Sequence, residues 1–425
     1  MSKKVVIIGH GLSGRTVAEN LVKGRGKDSS INLVCIDSRE FYECDSLMTV
    51  PLTWGGEESY NNNSCPQWKL AVPGVDQYIC DSVKSVTKTG DKIIIVTDKS
   101  GSIEADAVVA ATGFHVPVVK PQLGATWSAR KNELAKYREA IAKAKTIVVA
   151  GSGACGLDVA GDVRVFADID GGAKVHLIVS GEHVLGKNCS NSDRALLTSV
   201  VRSAPGMVLH NDRVVGDDYN IPSLDKKTVK LKSGKAIEAD VYLPSFATWN
   251  GDSYLSNTDG VLAENGMIIQ DKRTLQSKAM PALFAVGCGN IVLEEGFVGI
   301  PKIEAQAKTV ATNVLKFLNG QPLLNHKEGA SFTKHEPLVH FGHGYHSQIL
   351  TDDCGMPGKC CVWCGFPFPC IICPCTPCGI TCMRPNLRYV LGKIKNFAFK
   401  GDVPMLQAAR ANKQNPPSIE TMTRD

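Results

Sequence analysis

The sequence predicts an α/β chain made of two Rossmann-like dinucleotide-binding domains and a C-terminal module that carries a cysteine-rich insertion. Two glycine runs and one acid predict it. Gly9-His10-Gly11-Leu12-Ser13-Gly14 and Gly151-Ser152-Gly153-Ala154-Cys155-Gly156 each follow a short β-branched stretch, and Asp37 closes the strand after the first. One such match is weak evidence; two imply two dinucleotide sites, and two dinucleotides in one chain imply electrons passing between them.

The first unit reads in order. Val5-Val6-Ile7-Ile8 is a buried parallel strand, and Leu12 to Val22 is the helix after it. Gly9, Gly11 and Gly14 allow a tight turn and a close approach of backbone to pyrophosphate, whose charge rests on the helix N-terminus. A second strand, Ile31 to Ile36, ends at Asp37, where an acid can accept both hydroxyls of an adenosine ribose. A β-hairpin follows at Lys92 to Thr97 and Ser102 to Glu104, then an apolar run into Ala111-Thr112-Gly113. Residues 128–145 read as a helix with apolar positions at Leu134, Tyr137 and Ile141.

The second unit repeats the plan. Thr146 to Ala150 is its first strand, Leu157 to Phe166 its helix, and Lys174 to Val179 its second strand. Gly151, Gly153 and Gly156 form the loop. Glu182, just beyond the strand, leans the reading to NADH over NADPH, because an acid repels the extra phosphate; His183 and Lys187 blur that preference. A strand at Ala282 to Val286, then Gly287 and a helix from Pro301 to Leu318, imply a return to the first unit. The expected division is 1–127 with 256–330 for one nucleotide, 128–255 for the other, a module at 331–410 and a polar tail at 411–425.

The 425 residues carry a net charge of +5, too small and too scattered to suggest nucleic acid. No leader of targeting composition precedes Val5, so a cleaved signal is not expected, and Ser2 excludes N-myristoylation. Seven of the 16 cysteines are spread through the first 353 residues and look like small core hydrophobes. The other nine crowd between Cys354 and Cys382, within the segment 354–382.

That cluster cannot be a spanning helix. Pro367, Pro369, Pro374 and Pro377 would break it, and unpaired backbone is too costly in lipid. Cys361/Cys364, Cys370/Cys373 and Cys375/Cys378 each have the two-residue gap with which two thiolates grip one metal. Four chemistries fit. They are one or two structural zinc sites, acylated or lipid-facing thiols beside Trp363 and Phe366, disulfides with a thiol relay to a flavin, and an iron–sulfur cluster. His335, His340, His343 and His346 could add metal ligands.

With these motifs in place, the chain resembles the two-dinucleotide flavoproteins. Within them it is most similar to the ferroptosis-suppressor type, the apoptosis-inducing-factor-like proteins of fungi, plants and animals. The carriers are Arg39-Glu40-Phe41-Tyr42-Glu43, Ala239-Asp240-Val241-Tyr242-Leu243-Pro244 and Leu283-Phe284-Ala285-Val286-Gly287. Gly299-Ile300-Pro301-Lys302, Phe341-Gly342 through Gln348-Ile349, and Leu391-Gly392-Lys393-Ile394-Lys395-Asn396-Phe397 extend the likeness to about residue 401.

The resemblance implies FAD at Gly9, Gly11, Ser13, Gly14, Asp37, Thr112, Gly113, Gly287 and Cys288. It implies NADH or NADPH at the second glycine loop and Glu182, with hydride passing through the flavin to a membrane quinone. It also implies Lys393, and with it Lys302, as cations beside the flavin ring. The setting it implies is cytoplasmic or organellar and peripheral to a membrane, with no transmembrane helix. Two departures qualify it. Cys288 stands where the family has an aspartate on the ribityl chain, a loss of about 1.5–3 kcal/mol, and Ser245-Phe246-Ala247 replaces an Ala-Thr-Gly beside the nicotinamide, where the bulk of Phe246 is expected to narrow the site. They keep open an eroded member serving as a structural subunit of a larger assembly, and the C-terminal cysteines separately keep open a thiol–disulfide reductase working through them.

Overall fold

A computed structural model describes residues 2–28, 30–43, 48–53, 56–122, 124–167, 172–185, 191–247, 253–287, 300–326, 338–340 and 346–348. Cys288, Lys187, Lys393, the cysteine cluster and the tail lie outside them.

The first half runs β1 (Lys3–Ile8), α1 (Leu12–Arg25), β2 (Ile31–Asp37), β3 (Phe41–Glu43), α2 (Thr49–Leu52), α3 (Gly56–Asn63), β4 (Ser64–Pro66), β5 (Gln77–Cys80), β6 (Val83–Thr89), β7 (Lys92–Thr97), β8 (Ser102–Ala105) and β9 (Ala107–Ala110). Then come α4 (Trp127–Lys143), β10 (Thr146–Ala150), α5 (Ala154–Ala167), β11 (Lys174–Val179), α6 (Asn191–Ser203), β12 (Met207–Asn211), β13 (Lys227–Lys230), β14 (Ala236–Ala239) and β15 (Val241–Pro244). The chain returns through β16 (Leu283–Ala285) and α7 (Ile300–Leu318), and ends its described part with the antiparallel pair β17 (Leu338–His340) and β18 (His346–Gln348).

Two parallel sheets result, ordered β16-β9-β1-β2-β5 and β12-β11-β10-β15. The return of β16 beside β9 matches the expected re-entry of the chain. Val5 to Ile8 are at most 3% exposed because both faces of the first sheet are covered, which is why the strand reads as unbroken apolar residues. α1 and α7 pack on one face, around Val17, Leu21, Val310 and Val314. The antiparallel meander β6-β7-β8 closes the other face. The sequence shows only β7 and β8 of that meander. β6 is hidden by its polar alternation, Lys84, Ser85 and Lys88 among them, and by a register shift at Val83/Ser85.

The second sheet is covered by α5 on one face and by the β13–β14 hairpin on the other. The helix expected over 128–145 is α4, set one residue earlier because the Thr126 hydroxyl accepts the Ala129 N–H at 3.1 Å. α1 and α5 both exceed their expected extents.

The halves share a device legible as a repeat, Ile103-Glu104-Ala105-Asp106 and Ile237-Glu238-Ala239-Asp240. Each ends a hairpin strand with an aspartate that ties down the start of the unit's first strand. Asp106 accepts the Lys4 N–H at 2.7 Å, and Asp240 accepts those of Lys145 and Thr146 at 2.9 Å each. The Thr146 and Lys145 N–H groups hold the Asp240 carboxyl below the ordinary carboxylate range. Its contribution is therefore complete above the unfolded value near pH ~4 and is lost as pH falls through the lowered folded value. Asp240→Ala should cost about 1 kcal/mol at pH 7, after screening by solvent. Urea midpoints at pH 7 and pH 3 should show the gap between variant and parent closing in acid.

Candidate functional site

The glycine loops stand at the C-terminal ends of β1 and β10, where open α/β sheets bind ligands. The two loops make the same kinds of close contact. Gly9 (φ 95°) and Gly151 (φ 108°) adopt the left-handed backbone. A Cβ on Gly9 would lie 2.5 Å from the Ala111 carbonyl oxygen, and one on Gly151 would lie 2.9 Å from that of Ser245. A Cβ on Gly14 would fall 1.8 Å from the Gly9 oxygen, and on Gly156 2.1 Å from the Gly151 oxygen. Protein packing thus accounts for the first and third glycines of each run. It does not account for the middle ones: a Cβ on Gly11 or Gly153 would meet nothing within 4 Å.

Those two open spaces lie at helix N-termini. Gly11 caps α1 with no side-chain hydrogen bond, and neither α1 nor α5 has an acid in its first turn. α4, by contrast, is closed by Thr126. The helix dipoles at the N-termini of α1 and α5 suit an anion that approaches the backbone closely, as a pyrophosphate does.

Asp37 ends β2 beside the first loop with its carboxylate held by backbone N–H groups. One carboxylate oxygen accepts the His10 N–H at 2.7 Å and the other the Arg39 N–H at 2.9 Å, with the Arg39 Nε 3.7 Å away. Each oxygen keeps a lone pair for a hydroxyl. His10 and Arg39 are thus positioning residues that the glycine pattern alone does not single out. Thr112 and Gly113 follow β9 beside the loop; the Thr112 Cα lies 3.0 Å from the space a Gly9 Cβ would take, and Gly113 has φ 71°. Gly287 adjoins Ser13, since its Cβ would come 2.5 Å from the Ser13 Oγ, and its N–H donates to the buried Gln306 at 3.2 Å. Gly9, Gly11, Ser13, Gly14, Asp37, Thr112, Gly113 and Gly287 therefore gather at the C-terminal end of one sheet. Of Lys302 only the backbone, in the first turn of α7, is described.

The second site differs at the ribose position. Ile8 pairs with Ile36 and Ala150 with Ile178, so the register counterpart of Asp37 is Val179, fully buried. Glu182 comes three residues later, its side chain 88% exposed. The loop that carries it is fixed. The Leu185 N–H donates to the Ser152 carbonyl at 2.7 Å, and the Asn211 amide donates to the carbonyls of Gly181 and Glu182.

Phe246 does not narrow the second loop as its sequence position suggests. Its ring stacks on Tyr219 at 5.6 Å and packs with Val148, Ile178 and Tyr242 on the sheet face covered by β13–β14. α5 lies on the opposite face.

Cys35, Cys65 and Cys80 are free thiols. Burial, with the charge of Asp37, pushes the Cys35 thiol up to about 12, so it is inert at neutral pH. Among the described residues no group of three or more histidines, cysteines and acids is placed to hold a metal. The six cysteines expected to do so, Cys361, Cys364, Cys370, Cys373, Cys375 and Cys378, lie outside them, as do Lys393 and Cys288.

Comparison with known proteins agrees with this geometry. Among curated proteins, the FAD-dependent oxidoreductase FVFD30 of Flammulina velutipes is 30% identical over 59% of this chain and 74% of its own length. The apoptosis-inducing factor homolog A of Dictyostelium discoideum is 24% identical over 67% of this chain and 70% of its own. Among solved structures, the sulfide:quinone oxidoreductase of Aquifex aeolicus shares the fold, with a TM-score of 0.58 and 18% identity over 76% of this chain and 78% of its own. The family model for pyridine nucleotide-disulphide oxidoreductases matches residues 3–296, both glycine loops and the returning strand included, and the chain belongs to that FAD- and NAD(P)-binding oxidoreductase family.

Proposed function

We propose that this chain is a ferroptosis-suppressor-type oxidoreductase that passes hydride from NADH, or NADPH, through FAD to a quinone-type acceptor at a membrane surface. The observation that carries it is the pair of open spaces at Gly11 and Gly153, each at the N-terminus of a helix with no acid in its first turn and each unexplained by protein packing. Gly9, Gly11, Ser13, Gly14, Asp37, Thr112, Gly113, Gly287 and Cys288 would hold FAD. Gly151, Gly153, Gly156 and Glu182 would hold the nicotinamide nucleotide. Bound flavin supplies the hydride chemistry; the protein binds, orients and shields it.

The chain's own residues divide the work. Asp37, oriented by the backbone of His10 and Arg39, would fix the adenosine end. The first turns of α1 and α5 would carry the two pyrophosphates. Lys393 and Lys302 would set the electrostatics beside the ring. The turn of Phe246 toward Tyr219 leaves the second loop open, which favours a working enzyme over a structural subunit.

The acceptor class draws on the family resemblance and on the likeness to a sulfide:quinone oxidoreductase. Among the described residues no helix is long and apolar enough to cross a membrane. Membrane contact is assigned to the C-terminal module on its sequence, the cysteine-rich segment followed by Arg384, Arg388, Lys393 and Lys395.

The purified protein should show flavin absorbance near ~450 nm that NADH bleaches without oxygen and a soluble quinone analogue restores. A colourless protein, or flavin left oxidised by both nicotinamide nucleotides, would reject the reading. Bleaching without reoxidation by any quinone would reject the acceptor alone.

A further inference from the structure

The end of β11 does not repeat the end of β2. In both units the first loop glycine donates its N–H to the neighbouring strand, Gly9 to the Ile36 carbonyl at 2.7 Å and Gly151 to the Ile178 carbonyl at 3.1 Å. The residue after that carbonyl is Asp37 in the first unit and Val179 in the second. Val179 is fully buried and belongs to the apolar core on the α5 side of its sheet.

An acid at this position does two things for a dinucleotide. It accepts the hydroxyls of the adenosine ribose, and its charge rejects a phosphate carried on that ribose. Valine does neither, and the acids nearby do not take over the second task. The Glu182 side chain is 88% exposed, with its carboxylate 3.9 Å from the His183 Nε2, so solvent screens its charge. The Asn211 amide, beside Val179 on β12, fixes the loop backbone by donating to the carbonyls of Gly181 and Glu182 at 2.8 and 2.9 Å. Asp212 is committed to the β13–β14 turn, where it accepts the N–H groups of Arg213 and Ser233 at 2.8 and 3.3 Å.

We infer that the second nucleotide site takes NADPH at least as readily as NADH, and that Val179 is the residue that removes the discrimination against the extra phosphate. The inference rests on the reading of the chain as an NAD(P)H-dependent flavoprotein, and it replaces the lean to NADH drawn from Glu182. The frame for restoring discrimination is in place. Asp37 is served by the backbone N–H groups of the residue after the first glycine and of the residue two positions beyond itself, His10 and Arg39. The counterparts around position 179 are Ser152 and Gly181. An aspartate there is expected to take up the same bonds and bring its charge to the ribose.

Calorimetric titration of the full-length protein with NAD⁺ and with NADP⁺ reads the ribose end without hydride transfer. Flavin bleaching by NADH and by NADPH, without oxygen, is followed in parallel. The parent should bind NADP⁺ no more weakly than NAD⁺. Val179→Asp should weaken NADP⁺ relative to NAD⁺ by about tenfold or more, because two like charges about 4 Å apart repel even near solvent. A parent preference for NAD⁺ beyond about tenfold, a difference of about 1.4 kcal/mol, would overturn the inference. The functional reading would survive that result if NADH still bleached the flavin. Comparable binding of both nucleotides with no bleaching by either would uphold the specificity and reject the functional reading. Binding of neither would reject both. An unchanged ratio in Val179→Asp, with thermal unfolding like the parent's, would overturn the role of Val179; if that variant fails to fold, the parent ratio decides.

Discussion

Gly11→Ala is expected to give a protein that folds as well as its parent and binds flavin ten- to a hundredfold more weakly. The backbone at Gly11 (φ −70°, ψ −166°) is one that any residue adopts, and the added methyl touches no protein atom. Less freedom in the unfolded chain should even add about 0.4–1 kcal/mol to the stability of the flavin-free protein. The methyl instead enters the space where a pyrophosphate meets the first turn of α1. Displacing one charge-assisted hydrogen bond there costs about 1.5–3 kcal/mol, which is the stated loss in affinity.

Gly14→Ala should do the reverse of a binding defect. Its Cβ would sit 1.8 Å from the Gly9 carbonyl oxygen, and relief requires α1 to lift from β1. That exceeds ordinary overpacking, so a loss of about 3 kcal/mol or more is expected with or without flavin. Urea midpoints of the flavin-free proteins, beside the flavin-to-protein absorbance ratio, separate the two. Full flavin occupancy in Gly11→Ala after dialysis would show that the first loop holds no dinucleotide. Gly153→Ala extends the logic: flavin content should be unchanged and the KM for NADH raised.

These glycines also show what the sequence makes legible. Spacing and flanking strands identify both loops, because local sterics alone select glycine where a carbonyl oxygen lies within 3 Å. Asp37 is legible for the same reason, as it ends the strand beside the loop. The middle glycines yield their meaning only in three dimensions, by facing nothing. Glu182 is not fixed by pattern: register puts buried Val179 at the ribose position and moves the acid three residues on. Phe246 looks obstructive in sequence because its partner, Tyr219, is 27 positions away and joins it only through the β13–β14 side of the sheet. α2 and α3 escape sequence reading because they are short or polar.

The buried ion cluster beneath α4 is another feature that spacing could not disclose, and it sets the second large effect. Arg130 and Glu43 both have fully buried side chains, 87 positions apart, with the Arg130 Nε donating to the Glu43 carboxylate at 3.1 Å. The Tyr60 hydroxyl donates to the same oxygen at 2.9 Å, and Glu133 accepts from the Arg130 Nη1 at 2.8 Å. Burial works against the charge on Arg130, but Glu43 and Glu133 hold the guanidinium protonated. The Trp127 indole N–H, donating to Ser64 at 3.0 Å, pins the start of α4 to the same segment.

β3, α3 and β4 are thus fastened to the helix that leads into the second sheet. Arg130→Met should leave Glu43 as a buried carboxylate without its cation and cost about 3–5 kcal/mol. Glu43→Gln should cost less, since an amide can still accept from Tyr60 and Arg130 keeps Glu133. Combining Arg130→Met with Glu43→Met removes both charges and should recover most of the loss, because an apolar replacement of a buried pair is often neutral or stabilising. A double-mutant cycle on urea midpoints reads this directly. If the double variant is no more stable than Arg130→Met, the cluster acts by shape rather than charge, and the fastening of β3 to α4 rests on packing around Tyr60 and Tyr137.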